Sequence, residues 1–205
     1  MVYSNVSVVI WDIGGVLTES PIKKFLSYEK SLSLPPGSII KINSTNPMNN
    51  AWAKLEKGLI SINKFSILFK KEAKSIGIYN IDIPKLLKCL DLNLNEEMVK
   101  LLKLVSKNYT CVCLTNNFKN TVNSNLKRIE DNFSHIFESS KLSMRKPEKK
   151  IYDHVLKEIN VEAKKVFFID DLGINLKPAR EIGILTYKFI DSKTAIRYIK
   201  NELNL

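Results

Sequence analysis

The sequence predicts an α/β fold, a doubly wound parallel sheet with a small helical unit inserted after its first strand. Three observations carry that expectation. From Asn95 onward, segments of helical and extended period alternate, the pattern of right-handed β-α-β units. The runs "SVVIW" and "KVFFI" are apolar throughout, as strands covered on both faces require. Between the first of these runs and Asn95, every periodic segment is helix-like.

In chain order, the first strand is "SVVIW". The insertion follows, with helical stretches in "SPIKKFLSYEKSL", "PGSIIKINS", "NAWAKLEKGLI" and "SINKFSILFKKEAKSIG". Next come a helix in "NEEMVKLLKLVSK", whose apolar residues recur at helical spacing, and a strand in "YTCVCLTN". A helix around "TVNSNLKRIE", a short strand in "HIFESS" and a helix in "EKKIYDHVLKEI" follow. The chain closes with strand "KVFFIDD", helix "LKPAREIG", strand "ILTYKFI" and helix "SKTAIRYIKNEL". Residues 1–18 and 96–205 are therefore assigned to the sheet domain and 19–95 to the helical insertion. No long linker separates them, so the insertion is expected to pack on the sheet.

A chain of 205 residues has room for one full domain and a small second unit. With 44% hydrophobic and 26% charged residues, its composition is that of an ordinary globular protein. No apolar run is long enough to span a bilayer, and the start "MVYSNVSVVIW" lacks the basic segment and cleavage site of a secretory leader. The expected setting is cytoplasmic. Cys111 and Cys113 alternate along a strand, project to one face and read as buried free thiols. The net charge of +11 invites a nucleic-acid partner, but the lysines are scattered in ones and twos over nearly every helix. Arginines are few and no basic stripe is interleaved with aromatics, so the charge reads as a solvated surface able to attract small anions. The oligomeric state stays open, with a homodimer among the options.

Open parallel sheets bind ligands beyond the carboxyl ends of their strands. The residues at those ends are Asp12, then Thr115 and Asn116, then Lys146 in the "MRKPE" loop, then Asp170 and Asp171. Three carboxylates, a hydroxyl, an amide and an ammonium at one edge are what a divalent cation and a phosphate together require. Adjacent acids at 170 and 171 repel unless a cation or lysine compensates them. Asn175 reads as bonding the loop after "KVFFI", His135 and His154 as structural, and Trp52 as an aromatic of the insertion's core or a cover over the site.

These residues, in this order, resemble the motifs of the haloacid dehalogenase superfamily: Asp12 in "WDIGGVL", Thr115 in "LTNN", Lys146 in "RKPE" and the acids of "IDDLGINLKPAR". The insertion lies where that family carries its type-one cap, and "AWAKLEKGLISINKF" is similar to a cap segment. The match is strongest to the phosphatase-like domains at the front of soluble epoxide hydrolase and of acyl-CoA dehydrogenase proteins of the member-ten type. The resemblance implies a Rossmann-like core and a Mg2+-dependent phosphatase of a small phosphorylated metabolite or lipid. Asp12 would attack phosphorus and form an aspartyl phosphate. Asp12, the Gly14 carbonyl and Asp171 would hold Mg2+, Thr115 and Asn116 the phosphoryl group; Lys146 would supply positive charge and Asp170 would orient it. Dehalogenase chemistry, which uses the same nucleophile without metal, fits the paired acids less well.

The family's usual second aspartate, two residues after the nucleophile, is absent: the position is Gly14. That residue protonates the leaving group, so its loss predicts weak turnover or a phospho-ligand-binding protein without catalysis. Glu19 is the nearest replacement acid in sequence. Glycine at 14 and 15 is expected to let the main chain turn sharply and approach the ligand.

Overall fold

The computed structural model describes residues 5–118 and 124–205. Within them five strands, β1 (Val8–Trp11), β2 (Thr110–Thr115), β3 (His135–Glu138), β4 (Val166–Asp170) and β5 (Leu185–Lys188), form one sheet. All pairs are parallel and the order is β3-β2-β1-β4-β5. The chain therefore builds outward from β1 on one side, then crosses to build on the other. The crevice where the direction switches lies at the carboxyl end of β1.

Strand β1 lies at the centre of the sheet, and all four of its residues are buried. Val9 and Trp11 face one layer, with Cys111 and Cys113, against helices α6 (Glu96–Val105), α7 (Ser124–Ile129) and α11 (Ser192–Leu203). Val8 and Ile10 face the other, with Val112 and Leu114, against α9 (Lys149–Ile159) and α10 (Gly173–Glu181). Both cysteines are thus buried free thiols on one face. The first residues of the helix expected around "TVNSNLKRIE", 121–123, lie outside the described residues.

The insertion contains α1 (Ile22–Ser31), α2 (Ser38–Ser44), α3 (Ala51–Glu56), α4 (Ile62–Ser75) and a short α5 (Ile83–Lys88). It has its own apolar cluster, in which Trp52 packs edge-on against Phe25 at 6.2 Å and Phe65 at 5.5 Å. Trp52 is therefore an aromatic of the insertion's core. The buried acid Glu29 has a structural reason, since its carboxylate accepts the Gly37 and Ile39 N–H groups, both at 2.7 Å, and caps α2. Exit and return run side by side: Glu19 N–H donates to Asn93 O at 3.0 Å and Asn95 N–H to Leu17 O at 2.9 Å.

Several elements differ from the sequence reading. Helix α5 was not foreseen, being only six residues long, although Asp82 caps it. Strand β3 is shorter than "HIFESS" because the chain turns at Ser139 into α8 (Ser139–Leu142), where the Ser139 hydroxyl bonds the Glu56 carbonyl at 2.7 Å. Helix α10 begins at Gly173, which leaves Pro178 inside it. The carbonyl that Pro178 cannot pair belongs to Ile174, an exposed residue. Among the described residues no helix is long and apolar enough to cross a membrane.

Candidate active site

Register brings the site together. Trp11 pairs with Cys113 of β2 and Ile169 of β4, so these three strands end nearly level and deliver Asp12, Thr115 and Asp170 to one edge. The Asp12 N–H donates to Ile169 O at 3.0 Å, extending the ladder one residue past β1. Thr115, the last residue of β2, is buried there.

Lys146 reaches this edge from the loop before α9. Its Nζ lies 2.9 Å from Asp12 Oδ1 and 2.7 Å from Asp170 Oδ2, and the side chain has no solvent exposure. The flanking carboxylates hold its pKa above the ordinary lysine value despite burial, so the ammonium stays charged. The Phe168 ring closes one side, 5.4 Å from Nζ. Asn116 holds the lysine's main chain twice over: its Nδ2 donates to Lys146 O and its Oδ1 accepts from Lys146 N, both at 3.0 Å.

The two adjacent acids are treated differently. Asp170 also accepts the Leu172 N–H at 2.8 Å and the Asn175 amide at 3.0 Å, so its oxygens are satisfied by protein. Asp171 Oδ1 is buried without a hydrogen-bond partner. Oxygens of Asp12, Asp170 and Asp171 all lie within 4.8 Å of one another. Burial, reinforced by Asp170, pushes the Asp171 carboxyl up to about 6, and burial raises Asp12 against the pull of Lys146. One ammonium among three carboxylates leaves negative charge over. A divalent cation beside Asp12 and Asp171 would compensate it and give the orphaned oxygen a partner, so these residues fit a metal of the hard, oxygen-seeking kind.

The turn after Asp12 separates its two glycines. Gly14 has φ −66°, ψ 120° and Gly15 φ 77°, ψ −4°, close to the central residues of a type II turn. Gly15 needs glycine twice, for its positive φ and because a Cβ would overlap the Asp171 carboxylate. Gly14 needs it for neither reason: its φ is ordinary and a Cβ would meet nothing within 4 Å. Both glycines sit in the turn, and its geometry requires glycine at 15.

The remaining sequence candidates lie elsewhere. Glu19 is exposed and turned to Asn93, whose amide approaches it at 3.4 Å. His135 is exposed at the start of β3, and His154 sits edge-on to Phe137 and beside Glu158. Sequence reasoning missed the side-chain role of Asn116 and the contacts that Glu56 and Lys57 of the insertion make with the Lys146 loop. Asn116 stood out only by its place at a strand end, and Glu56 and Lys57 only by lying in the cap-like segment.

Residues 6–183 match the model of the haloacid dehalogenase-like hydrolases. The chain belongs to this family. Mouse acyl-CoA dehydrogenase family member 10 is 27% identical over 94% of this hydrolase, which spans only 18% of that relative. Mouse bifunctional epoxide hydrolase 2 is 26% identical, again over 94% of the chain and 38% of the relative. A sesquiterpene phosphatase of Aspergillus oryzae is 28% identical over 89% of both chains. Among solved structures, a haloacid dehalogenase family enzyme of Bacteroides thetaiotaomicron in complex with magnesium and inorganic phosphate covers 89% of this chain and 93% of its own. Its TM-score is 0.64 at 24% identity, a likeness of fold.

Two outcomes follow from the site. Gly15→Ala should cost about 1–3 kcal/mol in denaturant unfolding, whereas Gly14→Ala should stay within about 1 kcal/mol of native. Equal losses would contradict the turn geometry. Because protons and a cation compete for an Asp171 carboxyl raised to about 6, Mg2+ should raise the thermal midpoint more at pH 7.5 than at pH 5. The same Mg2+ effect at both pH values would remove Asp171 from the cation site.

Proposed function

We propose that this hydrolase is a cytoplasmic, Mg2+-dependent phosphatase that forms an aspartyl phosphate on Asp12, acting on a small phosphorylated metabolite or lipid. The observation that carries the reading is the charged, fully buried Lys146 beside Asp12, in a carboxylate cluster whose third member, Asp171, has a buried oxygen without a hydrogen-bond partner. The sesquiterpene phosphatase, alike over 89% of both chains, supports the substrate class. The magnesium and phosphate bound by the Bacteroides enzyme support the cofactor.

Held between Asp12, Asp171 and the Gly14 carbonyl, Mg2+ would neutralise charge on the phosphoryl group. The protein's own groups do the rest. Ile13 N–H and Lys146 Nζ both bond Asp12 Oδ1, at 2.7 and 2.9 Å, which fixes the carboxylate's orientation for attack. Lys146 offsets charge on the transferring oxygens, while the Thr115 hydroxyl and Asn116 N–H donate to them. The P–O bond to the leaving group breaks as the Asp12 oxygen bonds phosphorus. Water then cleaves the aspartyl phosphate and frees Asp12. Residues 19–95 form the cap that selects the substrate.

With glycine at 14 and Glu19 turned to Asn93, neither residue supplies a proton to the leaving oxygen. Aryl and acyl phosphates should therefore react faster than alkyl phosphates. The same feature favours a second reading, a protein that binds phosphorylated ligands with little or no turnover.

Phosphate release from an aryl phosphate is expected to need Mg2+ and to vanish in Asp12→Asn. Gly14→Asp, at a position where a Cβ would meet nothing within 4 Å, should raise alkyl phosphate turnover by about 10²-fold or more, in the range of general acid catalysis. No Asp12-dependent release, with Gly14→Asp also silent, would select the binding reading.

A further inference from the structure

Lys146 stands on a loop whose two flanks are gripped by the insertion. Glu56 closes α3 and Lys57 follows it, two opposite charges side by side. Arg145 and Glu148 bracket Lys146 and Pro147 with charges in the complementary order. Arg145 Nε lies 2.7 Å from Glu56 Oε2, and Lys57 Nζ lies 3.0 Å from Glu148 Oε1. All four side chains are between 11% and 16% exposed. Among the described residues, the two ion pairs that join the insertion to the sheet domain both fall on this loop.

Two further bonds tie these contacts to the insertion. Arg145 Nη1 donates to Pro47 O at 2.9 Å, and Trp52 Nε1 donates to Glu56 Oε1 at 3.0 Å. A continuous path therefore runs from the aromatic cluster of the insertion through Trp52 and Glu56 to Arg145, the residue next to Lys146.

We propose that Glu56 and Lys57 are positioning residues for Lys146. The insertion clasps the loop on both sides of the lysine, and its seating on the sheet sets where the ammonium stands between Asp12 and Asp170. Partly buried ion pairs suit this task because removing one partner strands the other in a site short of water, which penalises any displaced arrangement. The activity arm of the test rests on the phosphatase reading; the exchange arm does not.

The test is a double-mutant cycle of Glu56→Gln and Arg145→Gln, with Lys57→Met and Lys57→Arg for the second pair. It reads kcat and KM on an aryl phosphate with Mg2+, and amide hydrogen exchange in residues 144–148 with β4 as reference. Each neutral single variant should lower kcat about 10-fold with KM within about threefold, the Glu56/Arg145 double should be no worse than either single, and Lys57→Arg should keep the activity. Exchange in 144–148 should quicken about 10-fold while β4 stays protected. Unchanged kcat, losses that multiply in the double variant, or unchanged loop exchange would each overturn the proposal. Should the native protein show no Asp12-dependent turnover, the phosphatase reading falls by itself and loop exchange decides the clasp. Should Glu56→Gln also unprotect β4, the Lys57 variants decide it.

Discussion

Lys146 places an ammonium with no solvent exposure 2.9 Å from Asp12 and 2.7 Å from Asp170, and much of the sheet edge is arranged to make that tolerable. A lone charge so deeply buried would lose its proton or unfold its surroundings. Two carboxylates prevent this, and each then needs its own support. Asp170 is held by the Leu172 N–H and by Asn175, which fixes the turn into α10. Asp12 is held by the ladder bond to β4 and by the Ile13 N–H. Asn116 secures the lysine's main chain from the end of β2. Three strand ends and one loop are thus bound to a single charge.

That arrangement leaves one residue unsatisfied, and it is the informative one. Asp171, clustered with two other carboxylates, has a buried oxygen, Oδ1, without a hydrogen-bond partner, a cost that a bound group would relieve. Gly15 is shaped by the same need, since no other residue lets the turn pass so close to the Asp171 carboxylate. Gly14 is not shaped by it. The missing acid at 14 is therefore a matter of chemistry, because backbone and space would both admit a side chain there.

What the sequence revealed follows from the range of the forces involved. Asp12 and the Asp170–Asp171 pair were legible because each closes a continuous apolar run, and such runs in a parallel sheet end at the ligand edge. Trp52, Cys111, Cys113 and Asn175 were placed by periodicity and position along their elements. The Asn116 amide was not, since its partner lies 30 residues on and any asparagine at a strand end looks alike. Nor were the clasping charges, for Lys57 and Glu148 are 91 residues apart in a chain full of lysines. Helix α5, the end of β3 and the start of α10 escaped because short elements are set by caps and tertiary bonds more than by period.

If Lys146 is the charge that makes the cluster tolerable, its removal must hurt most when the carboxylates are ionised. The deciding measurement is the unfolding free energy of Lys146→Met against native, without metal, at pH 8 and pH 5. The raised carboxyls of Asp12 and Asp171 destabilise the fold as pH climbs through their titration and stop doing so once protonated. The account predicts a loss of about 3–5 kcal/mol at pH 8 that shrinks by more than half at pH 5. A loss of the same size at both values, or none at either, would contradict it.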